Sequence, residues 1–131
     1  MANSVLVIED SPSVRRLIEI CVRPLGLDLT SAEDGITGLE MARRLLPDLI
    51  LLDIGLPGID GWEVLRNLRA DQETANIIVI IVTAHAQPEV AAAAEQRGAD
   101  GFMTKPFRPA ELRDEITRQL DAHRGPGAQA I

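Results

Sequence analysis

Short apolar runs alternate with longer stretches of helical periodicity five times over. No other feature of the chain restricts its fold as much. The runs cover residues 5–8, 27–32, 49–52, 77–82 and 101–104. A brief continuous apolar run bounded by turn residues reads as a strand buried on both faces. The run at 27–32 is weaker and alternates apolar with polar. Between the runs, apolar residues recur at helical spacing: Val14, Leu17, Ile18, Cys21, Val22 and Leu25, then Ile36, Leu39, Ala42 and Leu45, then Trp62, Val64, Leu65 and Leu68. An alanine-rich helix is predicted from Pro88 to Arg97, and a last one carries Leu112, Ile116 and Leu120. The punctuation agrees with these elements. Ser11-Pro12 offers an N-cap with proline at the first helical position, Pro24 and Gly26 close the first helix, and Gly98 ends the fourth. Strand-helix alternation of this kind predicts an α/β domain: a five-stranded parallel sheet with helices on both faces and right-handed crossovers.

Parallel strands all point the same way, so their C-terminal ends share one edge, and ligands of open α/β sheets bind outside that edge. The first run ends in Glu9 and Asp10, the third in Asp53, the fourth in Thr83 and the fifth in Lys105. Five functional groups from four strands therefore converge. Three clustered carboxylates repel one another and favour a cation among them. Oxygen ligands without cysteine or histidine select a hard ion, Mg²⁺ or Mn²⁺. Lys105 supplies a positive charge, and the Thr83 hydroxyl and the N–H after it suit phosphate oxygens. Together these parts describe phosphoryl transfer, which rests on positioning and charge neutralisation. No serine or cysteine is paired with a base, so the nucleophile is a carboxylate by elimination.

Charge and composition exclude other classes. A net charge of −7 argues against nucleic-acid binding by this domain. The single cysteine, Cys21, lies on an apolar stripe; it can form no internal disulfide and fits a reducing compartment. The N-terminus lacks the basic region of a signal peptide, and the run at 77–82 is too short to span a bilayer. A cytoplasmic protein without membrane association is expected.

The ordered set Glu9-Asp10, Asp53 with Leu56-Pro57 and Gly61 downstream, Thr83-Ala84, and Lys105-Pro106-Phe107 closely resembles the receiver domain of two-component response regulators. The resemblance covers about residues 4–123. It implies a flavodoxin-like, doubly wound sheet of strand order 2-1-3-4-5, an order that is itself a standard example for chemotaxis receivers. It implies that Asp53 is the phosphoryl acceptor and that Glu9, Asp10, Asp53 and the backbone carbonyl of Gly55 hold Mg²⁺. It further implies that Thr83 is the switch hydroxyl, Ala84 the adjacent N–H donor and Lys105 the phosphate-pairing lysine, with a cis Lys105–Pro106 bond. Phe102 matches the aromatic switch position but lacks the hydroxyl of the tyrosine often found there. His85 and Gly55 flank the path of hydrolytic water.

The resemblance implies a phosphorylation-activated switch rather than a turnover enzyme. The expected partners are a sensor histidine kinase or phosphotransfer histidine domain, an unidentified downstream effector and, on phosphorylation, a second receiver. The responding surface is the face of the fourth helix, fifth strand and fifth helix. A flavodoxin-type carrier shares the fold, yet Glu9-Asp10 would repel a flavin phosphate after the first strand. A haloacid-dehalogenase-type hydrolase needs a second aspartate two residues past the nucleophile, where this chain has Gly55. The domain is expected over residues 1–123, with a disordered tail or linker at 124–131.

Overall fold

Side chains alternate across each strand, and in the three inner strands of this protein both directions lead into a core. The computed structural model describes residues 3–85 and 87–129, those beyond 123 as backbone only. Strands β1 (Ser4–Ile8), β2 (Asp28–Ala32), β3 (Leu49–Leu52), β4 (Ile78–Thr83) and β5 (Gly101–Thr104) form one parallel sheet of order β2-β1-β3-β4-β5. The helices are α1 (Pro12–Val22), α2 (Gly35–Leu45), α3 (Gly61–Ala70), α4 (Pro88–Gln96) and α5 (Pro109–Gln129). This is the flavodoxin-like order that the resemblance implies.

The period of two sorts the sheet into its two faces. Leu6, Ile8, Ile50, Leu52, Val79 and Ile81 pack with Leu39 and Ala42 of α2 and Val64, Leu65 and Leu68 of α3. Val5, Val7, Leu49, Leu51, Ile78, Ile80 and Val82 pack with Ile18, Cys21 and Val22 of α1 and Leu112 and Ile116 of α5. Cys21 is thus a core residue, and burial pushes its thiol pKa up, away from the reactive thiolate.

Side-chain caps define where three helices begin. Ser11 accepts from the Val14 N–H, Asp34 from Thr37 at 2.8 Å and Asp60 from Glu63 at 3.0 Å. The fourth helix has no such cap at Gln87 and buries only Ala94, so α4 is the most lightly held of the five. A 3₁₀ turn at Arg23–Leu25 follows α1 and closes on Gly26, whose φ of 68° suits a residue without a β-carbon.

Helix α5 continues to Gln129 through Gly125-Pro126-Gly127. The helix is nucleated upstream on buried Leu112 and Ile116, and each added residue needs no new nucleus. Ala130 and Ile131 lie outside the described residues.

Leu46 ends α2 in the left-handed region, at φ 46° and ψ 61°, and is 46% exposed. That conformation costs a residue with a β-carbon about 1–2 kcal/mol, part of which glycine would give back as unfolded-state entropy. Leu46→Gly is therefore expected to raise stability by about 0.5–1 kcal/mol, read as a higher urea midpoint at constant slope. A lower midpoint would mean that Leu46 contributes more by packing than it costs in strain.

Candidate functional site

The C-terminal edge of the sheet is assembled by the ladder itself. Asp53 follows β3, and its N–H donates to Ile8 O at 3.1 Å, which places it beside the end of β1. Glu9 follows β1, and its N–H donates to Ala32 O at 3.0 Å, the last bond toward β2. Glu9 and Asp53 are buried and Asp10 is exposed. Each of the three contributes a carboxylate oxygen to a group lying within 4.8 Å of one another.

Lys105 closes the cluster. Its Nζ lies 2.5 Å from Glu9 Oε1 and 3.1 Å from Asp53 Oδ2. Its own N–H donates to Thr83 O at 2.8 Å, tying the end of β5 to that of β4, and the Lys105–Pro106 peptide is cis. Gly55 N–H donates to Asp53 Oδ1 at 3.2 Å, so both oxygens of that carboxylate are engaged.

Burial pushes the Glu9 carboxyl above its usual range, and the Asp53 charge adds to this. The Lys105 ammonium and the Ser11 N–H oppose the shift without cancelling it. For Lys105, burial favours the neutral amine. The hydrogen bond to Glu9 and the charges of Asp53 and Glu9 outweigh it and hold the lysine above its ordinary value. Three carboxylates against one ammonium leave an acidic site with hard oxygen donors. Such a donor set fits a divalent cation of the Mg²⁺ class, which needs few protein carboxylates and keeps several waters.

Thr83 is fully buried, and its Oγ1 accepts from the His85 N–H at 3.3 Å. Ala84 and His85 are exposed next to it. The His85 ring lies over Gly55, where a β-carbon on the glycine would meet Nε2 at 3.9 Å. Phe102 is half-buried against the α2–α3 core on the strand next to Thr83. The structure thus gathers Glu9, Asp10, Asp53 and Lys105 into one cluster and sets Thr83, Ala84 and His85 on the adjoining strand end. Two partners of the acidic pair do not stand out in the sequence. Ser11 donates its backbone N–H to Glu9 Oε2 at 3.1 Å, a contact available to any residue but proline. Arg15, in α1, donates from Nη1 to Glu9 O at 2.7 Å. Its only sequence signal is a basic residue one turn past the cap.

A family profile described as "Response regulator receiver domain" matches residues 5–117. The chemotaxis protein CheY-3 of Vibrio cholerae is 34% identical over 115 residues, covering 87% of this chain and 88% of that protein. The DNA-binding dual master transcriptional regulator RpaA of Synechocystis is 41% identical over 108 residues, 82% of this chain but 45% of the relative. The chain therefore spans about half the length of that regulator. Among solved structures, the receiver domain of the Pseudomonas aeruginosa sensor histidine kinase PA1611, with a magnesium ion in its active-site cleft, superposes with a TM-score of 0.85 at 32% identity, covering 92% of this chain and 99% of that one. Among the described residues, no helix is long and apolar enough to cross a membrane. With its strand order, its acidic edge and a profile match over most of its length, the chain belongs to the response regulator receiver family, the phosphorylation-activated switches of two-component signalling.

Proposed function

We propose that Asp53 accepts a phosphoryl group from a phosphohistidine donor, with Glu9, Asp10, Asp53 and the Gly55 carbonyl holding Mg²⁺, or Mn²⁺ in its place. The observation that carries this is the convergence of three carboxylates within 4.8 Å around an ammonium bonded to two of them. An Asp53 carboxylate oxygen forms the new P–O bond, and the donor's P–N bond breaks as the histidine leaves. Bound Mg²⁺ supplies neutralisation of the transferring oxygens. Lys105 keeps one charge on the incoming group, and the Ala84 N–H and Thr83 hydroxyl take its remaining oxygens.

The conformational consequence follows from differential contacts. A phosphoryl group adds charge and acceptor oxygens, so Thr83 gains contact by moving toward it. Phe102, on the neighbouring strand, then turns into the space that Thr83 leaves. Lightly held α4 then shifts with β5 and α5, and this face binds the downstream effector or a second copy of the chain. Donors are a sensor histidine kinase or a phosphotransfer domain. The DNA-binding names of relatives such as RpaA belong to chains about twice as long, and the net charge of −7 argues against nucleic-acid binding by this domain.

The metal site is tested by titration. Mg²⁺ should bind saturably, and Asp10→Asn should weaken it by at least about tenfold, the loss seen when even the outer partners of metal ligands are disturbed. Asp10 is exposed, so the variant removes a ligand without opening the core. Unchanged affinity would remove the metal from this position.

A further inference from the structure

Glu9 and Asp10 are consecutive, yet one is buried and the other exposed while both direct a carboxylate to the same point. Consecutive residues of a strand point to opposite faces. The two can converge only if the peptide between them leaves strand geometry and is held in one orientation. The β1 ladder cannot do this, because its last bond toward β2 is Glu9 N–H to Ala32 O, after which β2 has ended. The carbonyl of the Glu9–Asp10 peptide is instead taken by Arg15 Nη1 at 2.7 Å. The guanidinium also faces a carboxylate. Its side chain is only 21% exposed, and Nη2 stands 4.0 Å from Glu33 Oε2 in the loop after β2.

We infer that Arg15 is a positioning residue for the metal site: it fixes the Glu9–Asp10 peptide so that the two carboxylates meet Asp53. This rests on the proposed Mg²⁺ site. A planar guanidinium suits the task, since it can bond the carbonyl with one N–H and face a carboxylate with another. Two effects of removing Arg15 compete, and they have opposite signs. A cation near a cation site opposes metal binding, so its loss as a charge alone would tighten Mg²⁺. Its loss as a positioning group would weaken Mg²⁺, because the ligands must then be ordered at the expense of binding. Outer-shell partners of metal ligands commonly govern affinity by about tenfold or more. Arg15 already faces Glu33, which reduces its net field at the site, so positioning is the larger effect.

The experiment is Mg²⁺ titration of the full chain by calorimetry for the wild type, Arg15→Ala and Arg15→Lys, with amide NMR spectra of the metal-free proteins. Arg15→Ala should bind Mg²⁺ about tenfold more weakly and should move the Asp10 amide resonance before any metal is added. Arg15→Lys keeps a donor for the carbonyl and should recover most of the affinity. Equal or tighter binding by Arg15→Ala, or no recovery by Arg15→Lys, overturns the assignment while leaving the metal site standing. Absence of Mg²⁺ binding by the wild type overturns the site and the inference together.

Discussion

Asp53→Asn is expected to abolish phosphoryl labelling by acetyl phosphate, a drop of roughly a hundredfold or more, because an amide oxygen is a far weaker nucleophile than a carboxylate. The variant is a clean test because it should fold. In the wild type without metal, three carboxylates face one ammonium, and Lys105 is shared between Glu9 and Asp53. Removing one negative charge relieves repulsion and leaves the Lys105–Glu9 pair intact. The metal-free Asn variant should therefore melt no lower than the wild type. The stabilisation that saturating Mg²⁺ gives the wild type should shrink, since a ligand that binds only the native state stabilises in proportion to its affinity. Gel mobility of the phosphorylated form and thermal melts with and without Mg²⁺ read both outcomes. An Asn variant that labels at the wild-type rate would move the acceptor elsewhere.

The second large effect concerns a residue with no side chain. Gly61 opens α3, and its N–H donates to Ile54 O at 2.8 Å. A β-carbon there would overlap Asp53 O and lie 2.6 Å from Ile54 Cα. Both obstacles are backbone, so no side chain can rotate out of the way. Gly61→Ala must displace α3 or the β3–α3 loop, and either move strains the segment that carries Asp53. A loss of about 2–4 kcal/mol is expected from urea unfolding. Gly55→Ala is the control, because its added β-carbon meets only His85 Nε2, at an ordinary 3.9 Å. It should cost much less. Equal stability of Gly61→Ala and wild type would mean that α3 does not seat against the Asp53 backbone.

The positions of Glu9, Asp53, Thr83 and Lys105 are legible in the sequence for one physical reason. Glu9, Asp53 and Thr83 end strands buried on both faces, and Lys105 ends the half-buried edge strand β5, so a polar residue after an apolar run announces the edge of the sheet. Parallel direction then brings the edges together without knowledge of any side-chain angle. The same logic explains what could not be read. The seat of His85 over Gly55 depends on loop geometry, and loops carry no periodicity. The Arg15 contact depends on how α1 leaves β1, and an arginine on an amphipathic helix is usually solvated. The left-handed Leu46 violates the preference for glycine at such a cap and so gives no signal.

The central claim, that this edge is a phosphoryl-accepting site with Asp53 as the acceptor, is tested most directly by locating the acyl phosphate. Protein treated with acetyl phosphate in Mg²⁺ can be reduced with borohydride, which converts an aspartyl phosphate to homoserine, and then digested for mass spectrometry. Homoserine at position 53, present with Mg²⁺ and lost on chelation, is the predicted result. Modification at Glu9, Asp10 or a histidine, or none at all in Mg²⁺, would contradict it.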